Sequence, residues 1–254
     1  MYRLIKILSR LAHLICVITF FYVANFSPAN AQNPHGHLFK TLTSLDDYTG
    51  EVYGTDDFVV NGRKYLPEHY NAKGNPYFLS DNWTKSTLII DGKRYDGQDI
   101  LYNIDVEKII LKTTIKDSIV VFVMLNNEFV SSIYFGPRYF INAEKCGLEN
   151  KFPGFVEQVY SGSFTLLVRH QKSFVSEYSR NTPNGFYSET KSINYIFING
   201  QLHKLPTKRS MLEYFSVHKK EVKTFMRKNK IRYKQAGYAQ LHKLFEYCDK
   251  ISSN

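Results

Sequence analysis

The sequence predicts an α+β protein: an antiparallel β-meander sheet or incomplete barrel, capped by a short C-terminal helical segment. Three observations carry this. Residues 100–141 alternate apolar runs with short polar breaks, and Asn61-Gly62, Asp91-Gly92 and Asn199-Gly200 punctuate the chain as hairpin signals. After residue 205 the apolar spacing changes from period two to the period of a helix.

The strands follow from local rules. Ile109, Leu111, Thr113 and Ile115 fall on one face of a strand, with Lys108, Lys112 and Thr114 on the other. Residues 119–125 are apolar at every position, so this strand is expected to be central and covered on both faces. Lys116-Asp117 and Asn126-Asn127 are expected to turn hairpins between neighbours, completing a four-stranded meander. Asn61-Gly62, Asp91-Gly92 and Asn199-Gly200 each suit a two-residue turn with positive φ at both positions. The likeness of the first two hairpins is explained by their turn chemistry; no fixed period recurs, so the chain is not a repeat protein. Residues 155–160 and 164–170 predict another hairpin across Ser161-Gly162, and residues 195–198 and 201–205 a last one. Residues 171–192, polar and irregular, read as a loop.

Three segments are expected. Residues 1–31 read as a secretory signal peptide. Arg3, Lys6 and Arg10 precede an apolar run over residues 11–23, and Ala29-Asn30-Ala31 supplies the small residues of a cleavage site. Residues 32–205 form the β body and residues 206–254 the helical segment, about 220 residues together, enough for one sizeable domain. Two cysteines remain after cleavage, Cys146 and Cys248. An exported chain permits a disulfide between them, with two separate thiols as the alternative.

The tail holds the positive charge. Eleven Lys and Arg residues between 204 and 234 face only Glu213 and Glu221, against a net charge of +10 for the whole chain. Thr207 is placed to cap a first short helix. In residues 217–230, Val222, Phe225 and Met226 share one helical face, and Lys220, Lys223, Arg227 and Lys230 form a basic stripe on another. Tyr238, Leu241, Leu244, Phe245 and Cys248 mark the buried face of a third helix. So few helical residues make no core alone, so they are expected to dock on the sheet.

Familiar catalytic patterns are missing from the sequence. There is no Gly-x-Ser-x-Gly elbow, no His-Glu-x-x-His helix, no phosphate-binding glycine loop and no dinucleotide fingerprint. Cys146 with His170 is the nearest approach to a nucleophile and base. Asp46, Asp47, Glu51, Asp56 and Asp57 supply oxygen ligands without calcium-loop spacing, and His35 and His37 flank no site, so neither a metal nor a cofactor is expected. Trp83, the single tryptophan, reads as a buried loop anchor rather than a sugar-stacking platform.

The Gly74-Asn75-Pro76-Tyr77 loop with Trp83, the Asp91-Gly92 hairpin with residues 101–104, the 154–160 run and the lysine-rich tail together resemble uncharacterised exported proteins of Bacteroidota-type bacteria. The resemblance implies an envelope location and a β body with a helical end, and brings no activity with it. The functional expectation is a non-catalytic, exported protein of the periplasm or outer envelope, with a binding or adaptor role. Its expected partners are an anionic membrane surface or envelope glycan, reached through the basic stripe, or another envelope protein; nucleic acid is a poor partner for an exported chain. The competing reading is a hydrolase acting on cell wall or glycan through a site the sequence does not reveal. A pocket with convergent polar groups separates the two readings.

Overall fold

The structure is a computed structural model and describes residues 62–115 and 119–253. The expected signal peptide, His35 and His37, the acidic cluster of residues 46–57 and the Lys116-Asp117 turn lie outside the described residues.

Among the described residues the chain forms an open antiparallel sheet of eleven strands. In chain order these are β1 (Arg63–Lys64), β2 (Thr84–Ile90), β3 (Lys93–Asn103), β4 (Lys108–Ile115), β5 (Ile119–Met124), β6 (Val130–Phe135) and β7 (Arg138–Asn142). Then come β8 (Phe155–Ser161), β9 (Thr165–Gln171), β12 (Lys191–Ile198) and β13 (Gln201–Leu205). Two short strands, β10 (Phe174–Val175) and β11 (Phe186–Tyr187), pair with each other between β9 and β12. In space the large sheet runs β1-β5-β4-β3-β2-β6-β7-β8-β9-β12-β13.

Turn chemistry delivers two of the three expected hairpins; for the third, Asn61 lies outside the described residues, Gly62 does not take a positive φ, and β1 after it pairs with β5. Asp91 and Gly92 sit at φ 46° and 78°, and Asn199 and Gly200 at 50° and 75°, the two left-handed residues that match the twist of the strands they join. Ile90 pairs with Lys93 and Ile198 with Gln201 across them.

Two expectations about the meander are corrected. Asn126-Asn127 does not join neighbours: after β5 the chain crosses to the far side of β2, where β6 pairs. Asn127 is buried in that crossing and donates to the Glu107 carbonyl at 2.7 Å, while Asn142 donates to the Asn127 carbonyl at 2.8 Å. Nor is β5 central. It lies second from the sheet edge beside the two-residue β1, leaving Ile119 55%, Val120 51% and Phe122 40% exposed. Val123 of this strand, with Leu125 just beyond it, is buried in the core, and the half-buried Val121 packs against it. Trp83 is half-buried and stacks on Phe122 at 5.1 Å, on the face the expectation had covered by other protein.

The core is built in two main parts. One, under β2–β8, gathers Leu88, Ile100, Tyr102, Ile109, Leu111, Ile133, Phe140 and Phe155. The other joins the sheet to the helices: Val159, Phe164, Leu166, Val168 and Ile196 pack on Met211, Val222, Met226, Leu244, Phe245 and Cys248. Among the described residues the α-helices are α1 (Lys208–Tyr214), α2 (Lys219–Lys228) and α3 (Tyr238–Ser252). Thr207 caps α1 reciprocally with Ser210, as its position suggested.

A carboxylate fastens the helical segment. Asp249 of α3 accepts from the Tyr160 hydroxyl at 2.6 Å, from the Ser163 backbone N–H at 3.0 Å and from the Ser163 hydroxyl. It thereby closes the β8–β9 hairpin at Gly162, where a Cβ would stand 2.1 Å from its Oδ2. Burial raises the Asp249 carboxyl, but the bonds from Ser163 and Tyr160 outweigh it and hold it below its ordinary 3.8. A depressed acid stabilises the fold above its unfolded value and loses that contribution as pH falls through the folded one. Asp249→Asn is therefore expected to lower the unfolding midpoint at pH 7 and to flatten its decline on acidification, read by thermal melts from pH 7 to pH 2.

Candidate functional site

A polar row crosses the sheet between the two cores. β7, β8, β9 and β12 are neighbours, and the inward alternation of each places one polar side chain in line: Arg138, Glu157, His170 and Ser192. Ser192 stands directly opposite His170 in the ladder. Phe140 and Phe155 lie on one side of the row, and Val168 and Ile196 on the other.

The row is bonded from end to end. Arg138 Nη1 donates to Glu157 Oε1 at 2.9 Å, His170 Nε2 lies 2.7 Å from Glu157 Oε2, and His170 Nδ1 lies 2.8 Å from Ser192 Oγ. Exposure grades across the row. The Glu157 side chain is 1% exposed, that of His170 9% and that of Arg138 18%, while Ser192 is open to solvent. An ionised Glu157 can only accept. In the neutral ring of His170 the proton then sits on Nε2, leaving Nδ1 as acceptor for the Ser192 hydroxyl.

Above the row is a cleft of about 550 Å³, a size that suits a small ligand. Its walls come from distant parts of the chain. Phe78 and Leu79 form one lip, and the segment through Gly237 and Tyr238 forms the other. The Arg138 guanidinium bridges them, 5.2 Å from the Phe78 ring and 5.7 Å from the Tyr238 ring. Lys191 and Lys234 also line the cleft. The lip is held firmly: Lys172 donates to the Asn75 carbonyl at 2.8 Å and the Tyr77 carbonyl at 3.0 Å, and Phe78 N–H to the Tyr102 carbonyl at 2.8 Å. Leu79 sits at φ 64° and is 62% exposed, a conformation that costs an L-residue with a large side chain about 1 kcal/mol or more.

No protein-family model, curated protein or solved structure matches this chain.

The basic stripe is partly as expected. Lys220, Lys223 and Arg227 are exposed on one side of α2, while Val222 and Met226 are buried on the other. Lys230 is exposed too but lies past the end of α2, at φ 54°, so it leaves the helical stripe. None of the four forms an ion pair among the described residues. Lys219 and Lys228 add to the same exposed surface.

Of the two cysteine alternatives, the structure shows separate thiols rather than a bridge. Both thiols are free: Cys146 is exposed on a 3-10 turn after β7, and Cys248 is buried on the inner face of α3. Cys146 is also no partner for His170, whose two nitrogens are taken by Glu157 and Ser192. No cluster of His, Cys, Asp or Glu among the described residues could hold a metal ion.

Sequence reasoning reached His170 but not Arg138, Glu157 or Ser192. A signal was present. Glu157 stands between Phe155 and Val159 on the inward face of β8, and His170 follows Leu166 and Val168 on that of β9. Polar residues on an otherwise apolar inward face are the exceptions that ask for a reason.

Proposed function

We propose that this is an exported envelope protein with a binding or adaptor role, which docks on an anionic surface through α2. The observation that supports it is a basic face carried by Lys220, Lys223 and Arg227, with Lys230 beside it, on a helix anchored to the sheet through Val222 and Met226. Such a face meets a surface as a rigid unit, so its charges act together. Each Lys or Arg close to anionic lipid is worth about 1 kcal/mol. The expected location is the periplasm or outer envelope, in keeping with the charged and apolar pattern of residues 1–31 and the resemblance to exported Bacteroidota-type proteins. The exposed Ile119, Val120 and Phe122 beside the sheet edge support the adaptor half of this reading, as a face for another envelope protein.

Co-sedimentation with vesicles tests the docking. The protein is expected to bind vesicles rich in phosphatidylglycerol, to release at high salt, and to ignore neutral vesicles. Replacing Lys220, Lys223, Arg227 and Lys230 together with Ala should weaken binding at least about a hundred-fold. Undiminished binding by that variant rejects the reading. Wild-type binding to an acidic glycan, with none to the vesicles, would move the partner from lipid to glycan.

A further inference from the structure

We propose that the cleft above β8, β9 and β12 is an esterase site in which Ser192 is the nucleophile and His170 its base. The inference is independent of the docking face, since it rests on different residues from different strands.

Three roles must meet in one place for acyl transfer: a nucleophile reachable by substrate, a base bonded to it, and a group that fixes the base. Ser192 is solvent-exposed and lines the cleft. Its hydroxyl is 2.8 Å from the one imidazole nitrogen free to take a proton, and the other nitrogen is 2.7 Å from a buried carboxylate. The ring is held in place as well as bonded, with the Phe78 ring centroid 4.8 Å from its own. Which nitrogen faces the serine is immaterial to the chemistry, provided that the carboxylate holds the proton on the other. Arg138 pairs with the far oxygen of Glu157, leaving Oε2 aimed at the ring.

The reaction then balances. Ser192 Oγ attacks the acyl carbon as its proton passes to His170 Nδ1. The ester C–O bond breaks, and the leaving alkoxide takes that proton to depart as an alcohol. Water attacks the acyl-serine, giving its proton to Nδ1. The carboxylic acid is released, and Oγ recovers its proton from the ring. Lys191 and Lys234 bring positive charge to the cleft in which the oxyanion develops. Phe78, Leu79 and Leu241 offer apolar contact to a short acyl chain, and the volume of about 550 Å³ limits the substrate to a small ester. Leu79, held in a costly conformation with its side chain exposed at the mouth, supplies part of that contact.

A fluorophosphonate probe tests this directly, because a serine activated in this way displaces fluoride and keeps the phosphonyl group. The purified protein is expected to take one adduct, on the peptide that contains Ser192, and to hydrolyse p-nitrophenyl butyrate. Ser192→Ala should lose both, with its melting temperature unchanged. His170→Asn should slow labelling about a hundred-fold or more. Glu157→Gln, at a positioning residue, should move the pH profile of labelling, which a packing defect alone would not do. Absence of an adduct on the folded wild type, or an adduct and turnover that persist in Ser192→Ala, overturns the proposal. Should His170→Asn fail to fold, the exposed Ser192 still decides the matter.

Discussion

Arg169→Met is expected to cost about 3–5 kcal/mol of unfolding free energy, because it leaves a carboxylate buried without its counter-charge. Arg169 Nη2 lies 2.7 Å from Glu107 Oε1, with both side chains less than a tenth exposed. Arg169 also donates to the Pro153 carbonyl at 2.6 Å, and the Tyr102 hydroxyl donates to Glu107. This cluster ties the turn after β3 to β8 and β9, so its loss loosens both parts of the core. Burial pushes the Glu107 carboxyl up to about 7, against the pull of Arg169 and the Tyr102 hydroxyl. An acid raised above its ordinary 4.5 keeps its proton in the fold longer than in the open chain, so stability falls as pH rises from about 4.5 to about 7 and levels beyond. Guanidinium unfolding across that range measures both effects. Replacing Glu107 with Gln in the Arg169→Met background should recover part of the loss and remove the slope. A loss under about 1 kcal/mol for Arg169→Met would show that the pair is not buried as described.

Phe245→Ala carries the second large effect, about 3–5 kcal/mol, since the ring is fully buried and its removal opens a cavity. Its ring meets Phe164 of the hairpin side at 6.2 Å and Phe215 after α1 at 6.1 Å, both in edge-to-face geometry. It therefore sits where α3, the end of α1 and the sheet come together. The expected outcome is a single unfolding transition at lower denaturant, with sheet and helix signals in circular dichroism still coincident. If the helical signal melted first and the sheet signal held its wild-type midpoint, the helices would be an appendage rather than part of the core. By contrast, changes at the exposed Lys220 or Lys223 are expected to stay within about 0.5 kcal/mol.

Residues 100–104 and 154–160 show how far single segments can be read. Ile100, Tyr102 and Ile104 enter the core, and Phe155 and Val159 with them, as alternation requires. Glu157 occupies the same face, and alternation alone cannot say why a carboxylate belongs there. The answer lies on β7, β9 and β12, in Arg138, His170 and Ser192. Residues 119–125 show the opposite failure. An apolar run signals burial on both faces only when the strand has neighbours to cover it, and next to a two-residue strand it does not.

The sequence by itself determined what short-range chemistry governs. Asp91-Gly92 and Asn199-Gly200 set their hairpins because two residues in left-handed conformation suffice to turn the chain. Thr207 set the start of α1 because a cap needs only the next three residues, and the spacing of Leu241, Leu244, Phe245 and Cys248 set the inner face of α3. Tertiary structure alone decided the strand order, with β6 crossing to pair β2, the exposure of β5, and the meeting of Arg138, Glu157, His170 and Ser192. Those residues span more than fifty positions and come from four strands. Only the pairing of whole strands, driven by burial of both cores, brings them within hydrogen-bond reach.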